Sequence, residues 1–266
     1  MKIIVCIKQV PDTQKVKVDD KTGVLIRDGI DTKMNPFDLY ALETAMKIKE
    51  QTNAEITVVT MGPPSAKEVI KEAYALGADS GYLLTDRKFA GADVLATSFT
   101  LAQGITAIGG YDLIICGKQT TDGDTAQVGP AIAEHLAIPH VSWVVKIKDV
   151  CDKSITFMED MLDDIAIAKM NYPCLITVDK DVFQPRLPSY RLKQQAETKT
   201  INILTLEDLA QKDSEHYGLS GSPTQVEKIF EPTSEHEVER FEQDDKNNAK
   251  LLYQKLKELK YVKELS

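Results

Sequence analysis

The sequence predicts an α/β protein with a doubly wound, mainly parallel sheet, a Rossmann-like nucleotide-binding domain extended by antiparallel strands and a C-terminal helical arm. Three observations lead to this fold class. Up to Pro139, short runs rich in β-branched residues alternate with segments of helical periodicity. One run, residues 112–116 (DLIIC), is apolar on both faces, as a strand buried inside a parallel sheet is. After residue 141, β-rich runs follow one another with no room for helices between them.

The elements of the parallel sheet follow in order along the chain. Its strands are predicted at residues 2–10, 55–61, 82–84 and 112–116. The connecting helices are predicted from Asn35 onward and at residues 66–76, 93–108 and 128–139. Asn35 and Pro36 open the first of them, because asparagine is a favoured N-cap and proline a favoured first helical residue. A surface hairpin is predicted at residues 19–29.

The second half of the chain has a different pattern. Its strands, which are predicted to form the antiparallel extension, are residues 143–150, 154–158, 165–170 and 175–178. Residues 184–193 (QPRLPSYRLK) contain two prolines and are predicted to form a rigid surface loop. An apolar helical stripe close to the C-terminus predicts a detached helix. We therefore expect a nucleotide-binding domain at residues 1–234 and an arm at residues 235–266.

Composition narrows the classes of partner. The 266 residues carry a net charge of -9, which argues against a general affinity for nucleic acid or for an anionic membrane. The longest apolar runs have the length of strands, and residues 1–10 lack the apolar core of a signal peptide. We therefore expect a cytoplasmic protein that binds small molecules and other proteins. The four cysteines show no metal-ligand spacing, so no metal site is expected on this chain.

The most informative segment is residues 117–130 (GKQTTDGDTAQVGP), which leaves a buried strand and enters a helix. Gly117, Gly123 and Gly129 permit positive φ angles and a close approach of the backbone to a phosphate. The amides of residues 125–128 would stand at a helix amino end, which predicts an anion site. The alternative is an ordinary βα turn with Asp124 or Thr125 as the N-cap, and spacing alone supports both equally.

Two further segments open helices at what we expect to be the same sheet edge. The run of residues 35–38 (NPFD) would bring a second helix amino end to the crevice, although each run taken alone is also an ordinary helix start. Residues 89–93 (FAGAD) are small enough for a flat ring to approach their backbone closely. No serine, cysteine or histidine stands in a nucleophile-like setting, so no catalytic residue is assigned. The carboxylates at Glu159, Asp160, Asp163 and Asp164 are interpreted as a solvated hairpin tip.

Several motifs together resemble the beta subunit of electron-transfer flavoproteins. They are KIIVCIKQVPDT, MNPFDLYALETA, TMGPP, GKQTTDGDTAQVGPAIAEHL and DKDVFQPRLPSYR, which extend over essentially the whole chain. The resemblance implies pairing with an alpha subunit that carries a redox-shuttling FAD, and an adenine nucleotide in the crevice of this chain. Ordinary members hold AMP there. Bifurcating members hold a second FAD, which accepts hydride from NADH and sends electrons to ferredoxin and to an acyl-CoA dehydrogenase-type partner.

This sequence resembles the bifurcating kind through DGDTAQVGP and DRKFAGADVLATS, although Val94 departs from the usual GADT pattern. The protein would thus be the FAD-binding subunit of an NADH-dependent oxidoreductase complex, inactive alone. The alternatives are an ordinary member with structural AMP, and an adenine-nucleotide sensor or a nucleotide alpha-hydrolase on a similar sheet. The cofactor-binding residues that the resemblance implies are Cys6, Asn35, Pro36, Phe37, Asp38, Met61, Phe89, Ala90, Gly91, Ala92, Asp93, Gly117, Lys118, Gln119, Thr120, Thr121, Asp122, Gly123, Asp124, Thr125, Ala126, Gln127 and Val128.

The resemblance also implies a segment that docks on an acyl-CoA dehydrogenase. Its residues are Arg186, Leu187, Pro188, Ser189, Tyr190 and Arg191. Tyr190 is interpreted as the replacement for the family's leucine anchor, since tyrosine offers a large contact area at low entropic cost. The alternative is an ordinary exposed tyrosine. The terminal helix would pack on the flavin domain of the alpha subunit.

Overall fold

The computed structural model describes residues 1–12, 31–180, 182–227 and 245–262. Contacts divide the chain into two units, Met1–Lys228 and Ile229–Ser266. The predicted hairpin of residues 19–29 lies outside the described residues. The predicted domain boundary at residue 234 stays a prediction.

The first unit is built on a large sheet of nine strands among the described residues. In chain order these are β1 (Lys2–Cys6), β4 (Glu55–Met61), β5 (Ser80–Leu84), β6 (Leu113–Gly117), β7 (His140–Val150), β8 (Ser154–Asp160), β9 (Ile165–Asn171), β10 (Cys174–Val178) and β11 (Asn202–Leu204). Two short strands, β2 (Gln9–Pro11) and β3 (Thr32–Met34), pair separately. The helices of this unit are α1 (Pro36–Thr52), α2 (Lys67–Leu76), α3 (Val94–Ile108), α4 (Val128–His135) and α5 (Tyr190–Ala196).

The strand order is β11-β5-β4-β1-β6-β10-β7-β8-β9, which confirms a mostly parallel sheet flanked by helices. The chain moves outward from β1 through β4 to β5 and then returns, through α3, to β6 on the other side of β1. In the register Cys6 therefore lies beside Val59 on one side and Cys116 on the other. The order reverses at β1, and in open α/β sheets a ligand crevice forms at the carboxyl ends of strands at such a point.

The predicted single strand at residues 2–10 is wrong, because the chain leaves the ladder after Cys6. The backbone N–H of Lys8 donates to the carboxylate of Asp38 at 2.7 Å, and its carbonyl accepts from Asn35 N–H at 2.9 Å. Residues 9–11 then pair antiparallel with β3 instead of with the main sheet. The break brings the end of β1 against the start of α1.

The antiparallel extension is confirmed for β7, β8 and β9 but is wrong for residues 175–178. Strand β10 lies between β6 and β7 and pairs parallel with both. All five of its residues are buried, so it behaves as an interior strand of the parallel sheet. Asp160 pairs with Ile165 where β8 returns into β9, which places the predicted acidic residues at a hairpin tip.

The predicted surface loop at residues 184–193 is wrong in its second half. Ser189 caps a short helix by accepting a hydrogen bond from Leu192 N–H at 3.5 Å, so that α5 begins at Tyr190. Other predicted ends are confirmed. Asp93 caps α3, its side chain accepting from Ala96 N–H at 3.1 Å, and α2 ends at Gly77 with φ of 117°.

The second unit contains one described helix, α6 (Asp245–Glu258). Its apolar residues Leu252 and Tyr253 are 50% and 55% exposed. No helix within the described ranges is long and apolar enough to cross a bilayer.

Candidate functional site

The candidate site lies at the carboxyl ends of β1 and β6, where α1 and α4 both begin. The segment of residues 117–128 leaves β6 and enters α4, and it is joined to the start of α1 by direct hydrogen bonds. The topology therefore brings together the two segments that the sequence pattern singled out separately.

Asn35 makes the connection between them. It is fully buried, its side-chain nitrogen donates to the carbonyl of Gln119 at 2.9 Å, and its side-chain oxygen accepts from Thr121 N–H at 3.2 Å. It occupies the N-cap position of α1, as predicted, but its side chain makes no capping hydrogen bond. Both polar ends of the amide serve to hold the loop after β6 against α1.

Asp38, in the first turn of α1, is also directed into the protein. It is 5% exposed and accepts the hydrogen bond from Lys8 N–H. Burial raises the pKa of Asp38 to about 7, although hydrogen bonds at Asn35 and Lys8 and the charge of Lys8 act in the other direction. This carboxyl ties the end of β1 to α1.

An ion pair that the sequence pattern did not reveal joins the segment after β1 to the loop after β6. The ammonium of Lys8 contacts both carboxylate oxygens of Asp122, at 2.8 and 2.7 Å. Lys8 stands two residues past the end of β1, and Asp122 lies in the loop after β6. A lysine just beyond a strand end, opposite an aspartate-containing loop, is the signal that could have found it.

The glycines of this loop act by allowing close approach, and the prediction of positive φ at Gly117, Gly123 and Gly129 is wrong. The left-handed positions are Asp124, with φ of 52°, and Ala126, with φ of 55°. A Cβ on Gly117 would lie 2.7 Å from the carbonyl carbon of Phe37. Gly117 thus lets β6 end directly against α1.

The amides of residues 125–128 are the strongest feature for anion binding. Among the described residues they have no hydrogen-bond acceptor, and they lead into the amino end of α4. The alternative with Asp124 or Thr125 as N-cap is wrong, because Gln127 occupies that position and caps with no side-chain bond. The carboxylate of Asp124 instead accepts a hydrogen bond from Gln119. Unpaired N–H groups at a helix amino end favour a phosphate group.

Lys118 is directed to the other side of β6. Its ammonium lies 2.8 Å from the carboxylate of Asp179 and 4.4 Å from the ring centroid of Trp143. Trp143 has φ of 60°, an uncommon conformation for a bulky residue. The ammonium of Lys118 therefore lies at the carboxyl end of β10, away from the contact between Asn35 and the loop after β6.

The remaining predicted residues lie at the carboxyl ends of β1 and β4 and in the loop after β5. Cys6 is buried opposite Cys116, and the pKa of Cys116 lies well above its ordinary value because of its hydrogen bond to Cys6 and its burial. Met61 ends β4 and is half-buried. The loop of residues 89–93 follows β5, at the same edge of the sheet, with β4 lying between β5 and β1.

The loop of residues 89–93 is packed from behind. Phe89 is buried with its ring centroid 5.4 Å from that of Tyr217, and the carboxylate of Asp93 accepts from the Thr224 hydroxyl at 2.7 Å. Gly91 has φ of 76°, and a Cβ there would lie 3.3 Å from Leu219. Gly91 is therefore required by the loop's own conformation, whereas Ala90 is exposed to solvent.

The six predicted docking residues form a separate surface. Leu187 and Tyr190 are 90% and 77% exposed, while Arg186 pairs with carboxylates of α1. An exposed leucine thus stands three residues before Tyr190, and the segment offers an aliphatic as well as an aromatic anchor.

Comparison with known proteins identifies the family. The electron transfer flavoprotein domain matches residues 22–209. The chain is 42% identical over 262 residues to the electron transfer flavoprotein subunit beta of Clostridium acetobutylicum, covering 98% of this chain and all of that one. It is 46% identical over 233 residues to the caffeyl-CoA reductase-Etf complex subunit CarD of Acetobacterium woodii, covering 87% and 88% of the two chains. It is also 40% identical over 243 residues to the protein FixA of Azorhizobium caulinodans, covering 89% and 86%.

The family match covers more than half of the chain, and the relatives are matched over most of their own length. The first of them has the beta subunit's name and is matched from end to end. The expected mostly parallel sheet and the motifs of residues 117–128 agree with that result. The chain belongs to the electron transfer flavoprotein family and is homologous to its beta subunits.

Proposed function

We propose that the crevice between β1 and β6 binds FAD, and that the protein is the beta subunit of a heterodimeric, electron-bifurcating flavoprotein. The observation that carries the proposal is the set of unpaired amides at residues 125–128, held beside the amino end of α1 by Asn35. The amides of residues 125–128 and the positive end of the α1 dipole can together neutralise a diphosphate.

The residues present fit a dinucleotide in three respects. The left-handed backbone at Asp124 and Ala126 turns consecutive peptide units, which favours an anion-binding concavity. Asn35 and Asp38 are already paired inside the protein, so that the loop is shaped before the ligand arrives. Ala90 is exposed in the loop after β5, at the same sheet edge, and this loop is the proposed place of the isoalloxazine ring.

When bound, FAD would supply the redox chemistry, taking hydride from NADH and delivering electrons to ferredoxin and to an acyl-CoA dehydrogenase or enoyl-CoA reductase. The protein's own residues position the cofactor and set the local field. The name of the relative CarD, a subunit of a caffeyl-CoA reductase-Etf complex, supports a partner of this class. The alpha subunit is the expected partner of every such chain.

Cofactor content tests the proposal. The protein is purified with its alpha subunit, and the denatured extract is analysed for FAD and AMP by chromatography. We expect two FAD per heterodimer, with bleaching of flavin absorbance on addition of NADH. One FAD together with one AMP would refute bifurcation and leave an ordinary electron carrier. A colourless heterodimer would refute both and revive the nucleotide sensor.

The edge of the sheet offers a surface for the alpha subunit. Strand β9 is the outermost strand on its side, and Ile165 and Ile167 are 59% and 66% exposed. Met161 and Leu162 at the adjoining turn are 56% and 77% exposed. An apolar edge strand of this kind is typical of a protein interface.

Replacing Ile167 with aspartate tests that surface. The substitution should weaken the heterodimer in sizing and calorimetry while the isolated chain keeps its thermal stability, because Ile167 contributes little to the core. Replacing Lys169, exposed on the same strand, is the matched control. Unchanged heterodimer affinity for the Ile167 variant would exclude this edge.

A further inference from the structure

The docking segment presents an apolar surface that depends on its backbone position. Leu187 and Tyr190 are 90% and 77% exposed, and Pro188 and Arg191 are exposed between and beside them. Such a surface can engage a partner only if the backbone beneath it is held in place, since ordering a loose loop on binding reduces affinity.

Arg186 fixes the beginning of this segment to α1. Its Nε donates to one carboxylate oxygen of Glu43 at 2.7 Å, and Nη2 donates to the other at 3.0 Å. The backbone N–H of Arg186 also donates to Glu43, at 3.2 Å, and Nη2 reaches Glu50 at 2.8 Å. A bidentate arginine–carboxylate pair fixes orientation as well as distance.

Glu43 is the buried half of this contact. Its side chain is 3% exposed, whereas the side chain of Arg186 is 32% exposed. Lys47 lies 3.9 Å from Glu43, too far for a comparable hydrogen bond. Leaving a buried carboxylate without a partner is strongly destabilising. The burial of Glu43 therefore favours the conformation of the docking segment in which Arg186 pairs with it.

We propose that Arg186 and Glu43 are positioning residues, which hold the first part of the docking segment in the conformation that presents Leu187, beside Tyr190 of α5, to an acyl-CoA dehydrogenase-type partner. The inference deepens the proposed function and rests on it. Arg186 would thus act through the conformation of the segment, because three of its side-chain hydrogen bonds are made inside this chain.

The other end of the segment is tied down independently. Ser189 N–H donates to the carbonyl of Ala75 at the end of α2, at 3.1 Å, and Ala196 of α5 is buried. Loss of Arg186 should therefore loosen the stretch from Arg186 to Ser189 while α5 stays in place. The expected defect is in partner affinity and not in the fold.

The test compares the variants Arg186→Gln, Arg186→Lys and Lys193→Gln in the complete heterodimer. Lys193 is exposed on α5, outside the six predicted docking residues, so its replacement removes one positive charge without removing the pair of Arg186 with Glu43. A purified acyl-CoA dehydrogenase serves as the partner, and its KM and the kcat of electron exchange are measured separately. Hydrogen exchange of the amides of residues 186–192 reports the position of the segment.

We expect Arg186→Gln to raise KM for the dehydrogenase roughly tenfold with kcat nearly unchanged, and to speed hydrogen exchange near Leu187. Arg186→Lys should recover part of the affinity, because lysine keeps the charge but not the bidentate geometry. Lys193→Gln should change KM by much less. Flavin content should be that of the wild type in all three variants.

Two results would overturn the positioning role. One is an unchanged KM in Arg186→Gln, and the other is an equal rise in Lys193→Gln, which would make charge the cause. Glu43→Gln provides a second variant if Arg186→Gln fails to fold, since it leaves no buried charge and should raise KM in the same way. A wild-type heterodimer that exchanges no electrons with the dehydrogenase would instead refute the proposed function.

Discussion

Replacing Asp38 with asparagine should remove a large pH dependence from the stability of this protein. Burial raises the pKa of the Asp38 carboxyl from 3.8 to about 7, against the opposing hydrogen bonds and charge at Asn35 and Lys8. Each unit of difference between the pKa in the folded protein and the pKa in the unfolded chain corresponds to about 1.4 kcal/mol of unfolding free energy. Full ionisation of Asp38 in the folded protein therefore costs about 4 kcal/mol.

The direction in which the unfolding free energy changes with pH follows from the raised pKa of Asp38. Between about pH 4 and pH 7 the folded protein keeps a proton on Asp38 that the unfolded chain has lost. The unfolding free energy therefore falls as the pH rises through this window, and the loss is complete above pH 7. Asparagine keeps an oxygen that can accept from Lys8 N–H, and it has no charge to bury.

The assay is urea unfolding of the purified chain, followed by the fluorescence of Trp143, which is its single tryptophan. The stability of Asp38→Asn minus that of the wild type should rise from about zero near pH 4 to about 4 kcal/mol at pH 8. Contributions that are common to both proteins cancel in the difference.

Asp122→Asn is the control for charge at the same crevice. Although its partial burial acts in the other direction, the hydrogen bond and charge of Lys8 lower the pKa of Asp122 below its ordinary value. The contribution of the Asp122 carboxylate to the unfolding free energy is therefore lost only as the pH falls below about 4. The stability of Asp122→Asn minus that of the wild type should not change from pH 5 to pH 8. A flat curve for Asp38→Asn as well would refute the reasoning.

Four further outcomes are expected. Gly117→Ala should lower the unfolding free energy by about 1–3 kcal/mol in urea, because the new methyl would meet the backbone of Phe37 at 2.7 Å. Tyr190→Ala should weaken dehydrogenase binding by about 1–3 kcal/mol while NADH oxidation with an artificial acceptor survives; loss of both would mean that the segment supports the flavin site. Ala90→Leu should reduce flavin content before it reduces thermal stability, a cleaner test than a change at Gly91. Truncation before residue 235 should leave the first unit folded yet weaken association with the alpha subunit on sizing, and unchanged affinity would contradict a role for the tail.

Local patterns predicted the fold well where each element carries its own signal. The strand DLIIC and the helix predicted at residues 93–108 are examples, since the apolar residues that mark each of them lie close together in the chain. The place of residues 175–178 depended instead on which strands lie beside them, and periodicity does not contain that information. Strands of three residues, such as Asn202–Leu204, are too short to show a period at all.

The sequence pattern predicted which segment forms the loop of the candidate site, but it did not predict the contacts of the side chains. Glycine, threonine and aspartate after a buried strand predicted the loop of residues 117–128. The contact between Lys8 and Asp122 joins residues 114 positions apart, and no local motif contains it. Asn35 was predicted as a cap, yet its side chain bonds to a loop 84 positions away.

The polar side chains near this crevice mainly make contacts within the protein. Asn35 and Asp38 are satisfied inside the protein, and the lysines Lys8 and Lys118 are each paired with a carboxylate. In the proposed nucleotide site, neutralisation of a phosphate would therefore fall to backbone amides and helix amino ends, which serve one phosphate or two equally well. On that proposal the choice between AMP and FAD would be made away from the phosphates, where the loop of residues 89–93 would either accept a flat ring or exclude it.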